Sequence, residues 1–124
     1  MSRDCVSLKI PKKADFISLA RLATSGIAYT MSLNVENIED IKVSIGEACL
    51  NSLMLGHEDT ISLSFEIFRD KLSMEISGVK EMIPEELEER KERELGLLII
   101  KSLMDEVNFS KEGVKMIKYI EDDN

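Results

Sequence analysis

Ile38-Glu39-Asp40-Ile41-Lys42-Val43-Ser44-Ile45-Gly46-Glu47-Ala48-Cys49-Leu50-Asn51-Ser52-Leu53 sets the architecture of this 124-residue chain. Ile38, Ile41, Ile45 and Ala48 recur every three or four residues, the spacing of one apolar stripe on a helix. Asn37 is placed to cap that helix, and Asp40 puts negative charge in its first turn. Glu47 and Asn51 are four residues apart, so they stack on one face at the edge of the stripe. A partly covered carboxylate there is costly unless it is solvated, paired or used. Glu47 is therefore the candidate general base. The Asn51 amide oxygen is a neutral hard ligand of the kind magnesium takes. The plain alternative is a helix edge carrying two polar residues at an allowed spacing.

Working outward, Cys5 to Ile10 alternates apolar and polar residues as a half-buried strand does, and Pro11 ends it. A second helical pattern follows, with Asp15 as cap and Phe16, Leu19, Ala20, Ala23, Ile27 and Met31 as its apolar face. Arg21 lies off that face. On the other side of the central helix, Gly56 suits a left-handed cap. Ile61–Phe68 and Leu72–Ile76 alternate around the turn Arg69-Asp70-Lys71 and predict an antiparallel hairpin. Gly78 to Ile83 reads as a loop. Pro84 to Glu94 is crowded with charge, the mark of a solvated helix or mobile segment, with Pro84 suited to a first helical turn. Gly96–Met104 reads as a short buried helix. Glu106–Ser110 and Val114–Ile120 flank Lys111-Glu112-Gly113 as a last hairpin.

This order predicts an α+β fold, a two-layer sandwich of a mostly antiparallel sheet with helices on one face. The length fits one domain spanning residues 1–124. Sixteen Lys and Arg stand against 24 Asp and Glu, a net charge of -8. Nucleic acid is a poor partner for such a surface, since binding it rests on neutralising phosphates. No apolar run approaches a membrane span, and no signal segment is read at the start, so the expected location is the cytoplasm. Cys5 and Cys49 are too few for a disulfide scaffold or a zinc site. His57, the only histidine, sits in a polar turn and reads as a solvated loop residue. Phosphate-loop and dinucleotide glycine motifs are absent.

Three stretches carry a family resemblance: Arg21-Leu22-Ala23-Thr24-Ser25-Gly26, then Ile38 to Asn51 with its Glu-Ala-Cys-x-Asn box, then Leu95-Gly96-Leu97-Leu98-Ile99-Ile100-Lys101-Ser102-Leu103-Met104-Asp105-Glu106-Val107. Together, and in this order, they resemble bacterial anti-sigma factor serine kinases, the stress-response and sporulation regulators of the GHKL ATPase superfamily. The resemblance covers almost the whole chain and implies the Bergerat nucleotide-binding fold. It implies that Glu47 activates a substrate serine and that Asn51 holds Mg2+ beside the phosphates of ATP. It also implies that Gly78 and Gly96 belong to the adenine-side and phosphate-side boxes. Gly96 would open a helix whose N-terminus is an anion site. Arg21 would grip a sigma factor or its anti-anti-sigma antagonist, and the protein would act as a homodimer.

The chain departs from the family pattern at the nucleotide end. Ile76 stands where an aspartate accepts the adenine amino group, Glu94 replaces a glycine of the phosphate box, and Leu55 replaces a frequent histidine. Each lost hydrogen bond to a charged group costs about 1.5–3 kcal/mol, roughly ten- to a hundredfold in affinity. The expectation is therefore a partner-switch regulator with weak or absent ATP binding. The alternatives are an active ATP-dependent serine kinase, with Arg90, Lys91 or Arg93 neutralising phosphate in a mobile lid, and a dimerisation scaffold that has lost both roles.

Overall fold

The computed structural model describes residues 3–120. Strand β1 (Asp4–Pro11) leads through a single 3-10 turn (Ala14–Phe16) into helix α1 (Ile17–Tyr29). Helix α2 (Val35–Leu55), the hairpin β2 (Thr60–Ile67) and β3 (Lys71–Ser77), helix α3 (Arg90–Leu103), and the hairpin β4 (Glu106–Phe109) and β5 (Gly113–Tyr119) follow. The five strands form one sheet in the order β1-β2-β3-β5-β4, antiparallel throughout. The α+β sandwich expected from the element order is the fold observed.

Alternation sorts the side chains of the sheet. Ile61, Leu63 and Phe65 of β2, Leu72, Met74 and Ile76 of β3, and Val114 and Met116 of β5 are all buried. They meet Ile41, Ile45, Ala48 and Cys49 of α2, together with Ala20 of α1 and Ile100 of α3. The stripe read from the sequence is thus the side of α2 that seals the core. On the other sheet face, Ser62, Ser64, Glu75 and Lys115 line a shallow groove of about 220 Å³. Gly113 lets the last hairpin close against β3. Its φ is +152°, and a Cβ there would stand 2.0 Å from the Ile76 carbonyl oxygen.

Helix boundaries differ from the sequence expectations for local reasons. Asn34, not Asn37, caps α2: its side chain accepts the Asn37 N–H at 2.8 Å. The helix therefore starts at Val35, with Glu36 supplying the first-turn negative charge. Asp15 caps nothing, because the 3-10 turn runs straight into α1. Gly56 is extended (φ -73°, ψ 158°) rather than left-handed, and Lys12 Nζ donates to its carbonyl oxygen. Pro84 stands in irregular chain. Helix α3 instead begins at Arg90, so Gly96 lies in its second turn and not at its start. The helix-terminus anion site expected at Gly96 is consequently not formed. At the other end of α3, Lys118 Nζ donates to the Leu103 carbonyl oxygen at 2.8 Å, a cation where the helix dipole is negative.

Candidate functional site

Helix α2 presents Glu47 and Asn51 one above the other toward the chain that follows β3. Asn51 is 2% exposed. Its Nδ2 donates to the Lys80 carbonyl oxygen at 2.9 Å, and its Oδ1 accepts the Lys80 N–H at 2.8 Å. Only one orientation of the amide satisfies both bonds, so the peptide of Lys80 fixes it. At the next residue, Ser52 Oγ donates to the Ser77 carbonyl oxygen at 2.7 Å. Gly78 packs on that hydroxyl with φ +77°, and a Cβ there would lie 2.7 Å from Ser52 Oγ. Two consecutive residues of α2 therefore hold the exit of β3 by its backbone, and Val79 is buried between these two anchor points.

Glu47 faces α3. Arg93 Nη1 donates to Glu47 Oε1 at 3.4 Å, with side-chain exposures of 10% and 23%. That distance is long for a hydrogen bond, so charge attraction contributes more than direction. Gly96 lies against the same carboxylate: a Cβ there would stand 2.5 Å from Oε1. Glu94 points away and pairs with Arg90 at 3.3 Å. Ile76 is buried in the core face of β3.

Arg21 occupies the exposed side of α1 but leans on α2. Gly46 has no side chain, and a Cβ there would lie 3.1 Å from Arg21 Nη1 and 3.3 Å from its Cδ. The guanidinium and Cδ of the arginine fill that space, so Arg21, placed off the apolar face by the sequence, lies over α2. Beneath it, burial pushes the Cys49 thiol up to about 12, with the Arg21 charge pulling slightly the other way. Cys49 is thus an inert core residue.

In this arrangement the Asn51 oxygen accepts a backbone N–H, Glu47 pairs with Arg93, and Glu94 pairs with Arg90. Among the described residues no cluster of three His, Cys, Asp or Glu side chains could hold a metal. The 220 Å³ groove lies on the opposite face of the sheet, away from Glu47.

Comparison with known proteins places this geometry. The family model described as histidine kinase-like ATPase domain matches residues 10–118. The chain belongs to the histidine kinase-like ATPase domain family. Members similar to it include the serine-protein kinase RsbW of Staphylococcus epidermidis, 32% identical over 96% of this chain and 89% of the relative. The serine-protein kinase RsbW of Listeria innocua is 36% identical over 94% and 88%. That of Oceanobacillus iheyensis is 31% identical over 94% and 87%. The ATPase-domain membership agrees with the resemblance read from Glu47, Asn51 and the Leu95–Val107 stretch.

The structure brings Glu47, Asn51, Gly78 and Gly96 to one side of α2 and leaves Arg21 on α1. It adds two participants. The sequence offered Arg93, with Arg90 and Lys91, only as a phosphate-neutralising cation of a mobile lid, not as a partner of Glu47. Lys80 acts through its backbone, which no side-chain pattern could reveal. No helix among the described residues is long and apolar enough to cross a membrane.

Proposed function

We propose that this chain is an anti-sigma-type regulator that binds a sigma factor, its anti-anti-sigma antagonist, or both in turn, and that its ATP site is weakened. The observation that carries the reading is the similarity, across nearly the whole chain, to relatives named serine-protein kinase RsbW. The engagement of Asn51 by Lys80 and of Glu47 by Arg93 supports the weakened site. In this reading residues 1–124 act as one cytoplasmic domain, paired as a homodimer, and Arg21 anchors the partner. A guanidinium holds a carboxylate through two parallel hydrogen bonds, and on a protein of charge -8 it offers an acidic segment a local foothold. Direct nucleic-acid binding plays no part. The test is capture of a sigma factor from the source cell by tagged protein, repeated with Arg21→Glu. Binding should fall at least about tenfold, the effect of one charge-assisted contact, with the melting temperature nearly unchanged. Equal capture by both proteins would remove Arg21 from the interface, and capture of neither a sigma factor nor an antagonist would favour the scaffold reading.

One observation favours an active protein serine kinase as the second reading: Glu47 is held inside, opposite Gly96, rather than in solvent. A carboxylate in that place can accept a hydroxyl proton once uncovered. Transfer of phosphate from ATP to a serine of the antagonist, lost in Glu47→Gln, would establish it.

A further inference from the structure

The front of α3 is inverted. Gly96, Leu97 and Ile100 form its buried side. At 100° per residue, Arg93 falls in the middle of that side. Leu95 and Leu98 point outward instead, 57% and 60% exposed. An amphipathic helix normally arranges these residues the other way round. The buried cation is also poorly served: its Nε has no hydrogen-bond partner, and its contact with Glu47 is 3.4 Å long. Just before it, residues 78–89 contain no regular helix or strand. After Gly78, whose N–H donates to Glu112 O at 2.9 Å, and Lys80, held by Asn51, the backbone bonds there are Leu87 N–H to Pro84 O, Arg90 N–H to Leu87 O and Arg93 N–H to Glu89 O, at 3.2, 3.2 and 3.0 Å. Leucines out, an arginine in and an irregular tether behind describe helical turns that carry an internal cost and whose one inward charge is met by Glu47 alone.

We infer that Arg93 is a latch: its pairing with Glu47 clamps the first two turns of α3 over the carboxylate and keeps Glu47 out of reach until those turns swing away. Two arrangements of one element, close in free energy, are the usual basis of such a switch. The open arrangement frees Glu47, releases Arg93 to solvent or to an incoming anion, and lets Leu95 and Leu98 find cover. The latch rests on the reading of Glu47 as the working carboxylate, but it can be measured with neither nucleotide nor partner. Its failure is therefore distinguishable from failure of the proposed function.

Two readouts on the full chain test it. The first is amide exchange over residues 90–96. The second is carbodiimide labelling of the Glu47 carboxylate, read by mass spectrometry. Arg93→Gln should speed exchange about tenfold and make Glu47 label readily. Glu47→Gln should speed exchange equally, and the double variant no further, because both remove one interaction. Arg93→Lys should retain part of the protection. Gly96→Ala supplies a variant that does not weaken the fold: alanine favours the helix, while its Cβ displaces the Glu47 carboxylate from Arg93. It should raise exchange at 90–96 and label Glu47 readily, without lowering the melting temperature. Unchanged exchange and labelling in Arg93→Gln, or additive effects in the double variant, would overturn the latch.

Discussion

Replacing Asn51 with Ala leaves the Lys80 N–H and C=O without partners in a largely buried place. Chemical denaturation should show a loss of about 2 kcal/mol, the cost of stranding such groups. Asn51→Asp should cost at least as much, because a carboxylate cannot donate to the Lys80 oxygen and brings buried charge. Cys49 gives a prediction of pH dependence. Its folded pKa, about 12, lies above its ordinary 9.0. Between those values the unfolded chain has released the thiol proton while the folded chain keeps it. Stability should therefore fall as pH rises from about 9 toward 12, and Cys49→Ala should flatten that part of the curve. At pH 8 a thiol reagent should modify the exposed Cys5 and leave Cys49 untouched until denaturant is added. The positions of Glu47 and Asn51 were legible because helical spacing fixes which residues share a face. What Asn51 touches was not, since its partner is a peptide group brought in by a loop 29 residues away.

At the scale of elements, α3 shows where sequence reasoning stops. The apolar part from Gly96 onward was readable as a buried helix. The turns before it were not, because a run such as Arg90-Lys91-Glu92-Arg93-Glu94 looks the same in a solvated loop and in a helix. Only the Glu47 carboxylate, 46 positions away along the chain, makes Arg93 an inward residue. The strands were easier: strict alternation and short turns gave both hairpins, and the helix caps failed only locally, as where Asn34 takes the role expected of Asn37. The back of α3 is held by Lys118, whose ammonium meets the Leu103 carbonyl. Lys118→Met keeps the buried stem and removes that bond, and should lower stability by about 1 kcal/mol in urea denaturation. Gly113→Ala should cost about 1–3 kcal/mol through backbone strain. It should loosen β5 from β3, visible as faster exchange at the Gly78 amide that donates to Glu112 O at 2.9 Å.

Across the whole molecule, the ATPase-domain fold brings two loop or helix segments against the polar side chains of α2. Helix α2 carries Glu47 and Asn51 toward the chain after β3 and toward α3. The chain after β3 then takes up Asn51, and α3 takes up Glu47. In the proposed function the partner surface is on α1, away from Glu47 and Asn51, so partner binding and nucleotide binding need not be lost together. In the proposed function this site binds nucleotide weakly, because its own chain engages Asn51 and Glu47 and because Ile76 and Glu94 replace helpful groups. Titration calorimetry with magnesium and ATP tests this most directly. The parent protein should give little heat at micromolar ligand, and the pair Ile76→Asp with Glu94→Gly should bind measurably tighter. A tight, magnesium-dependent isotherm from the parent protein would contradict the account.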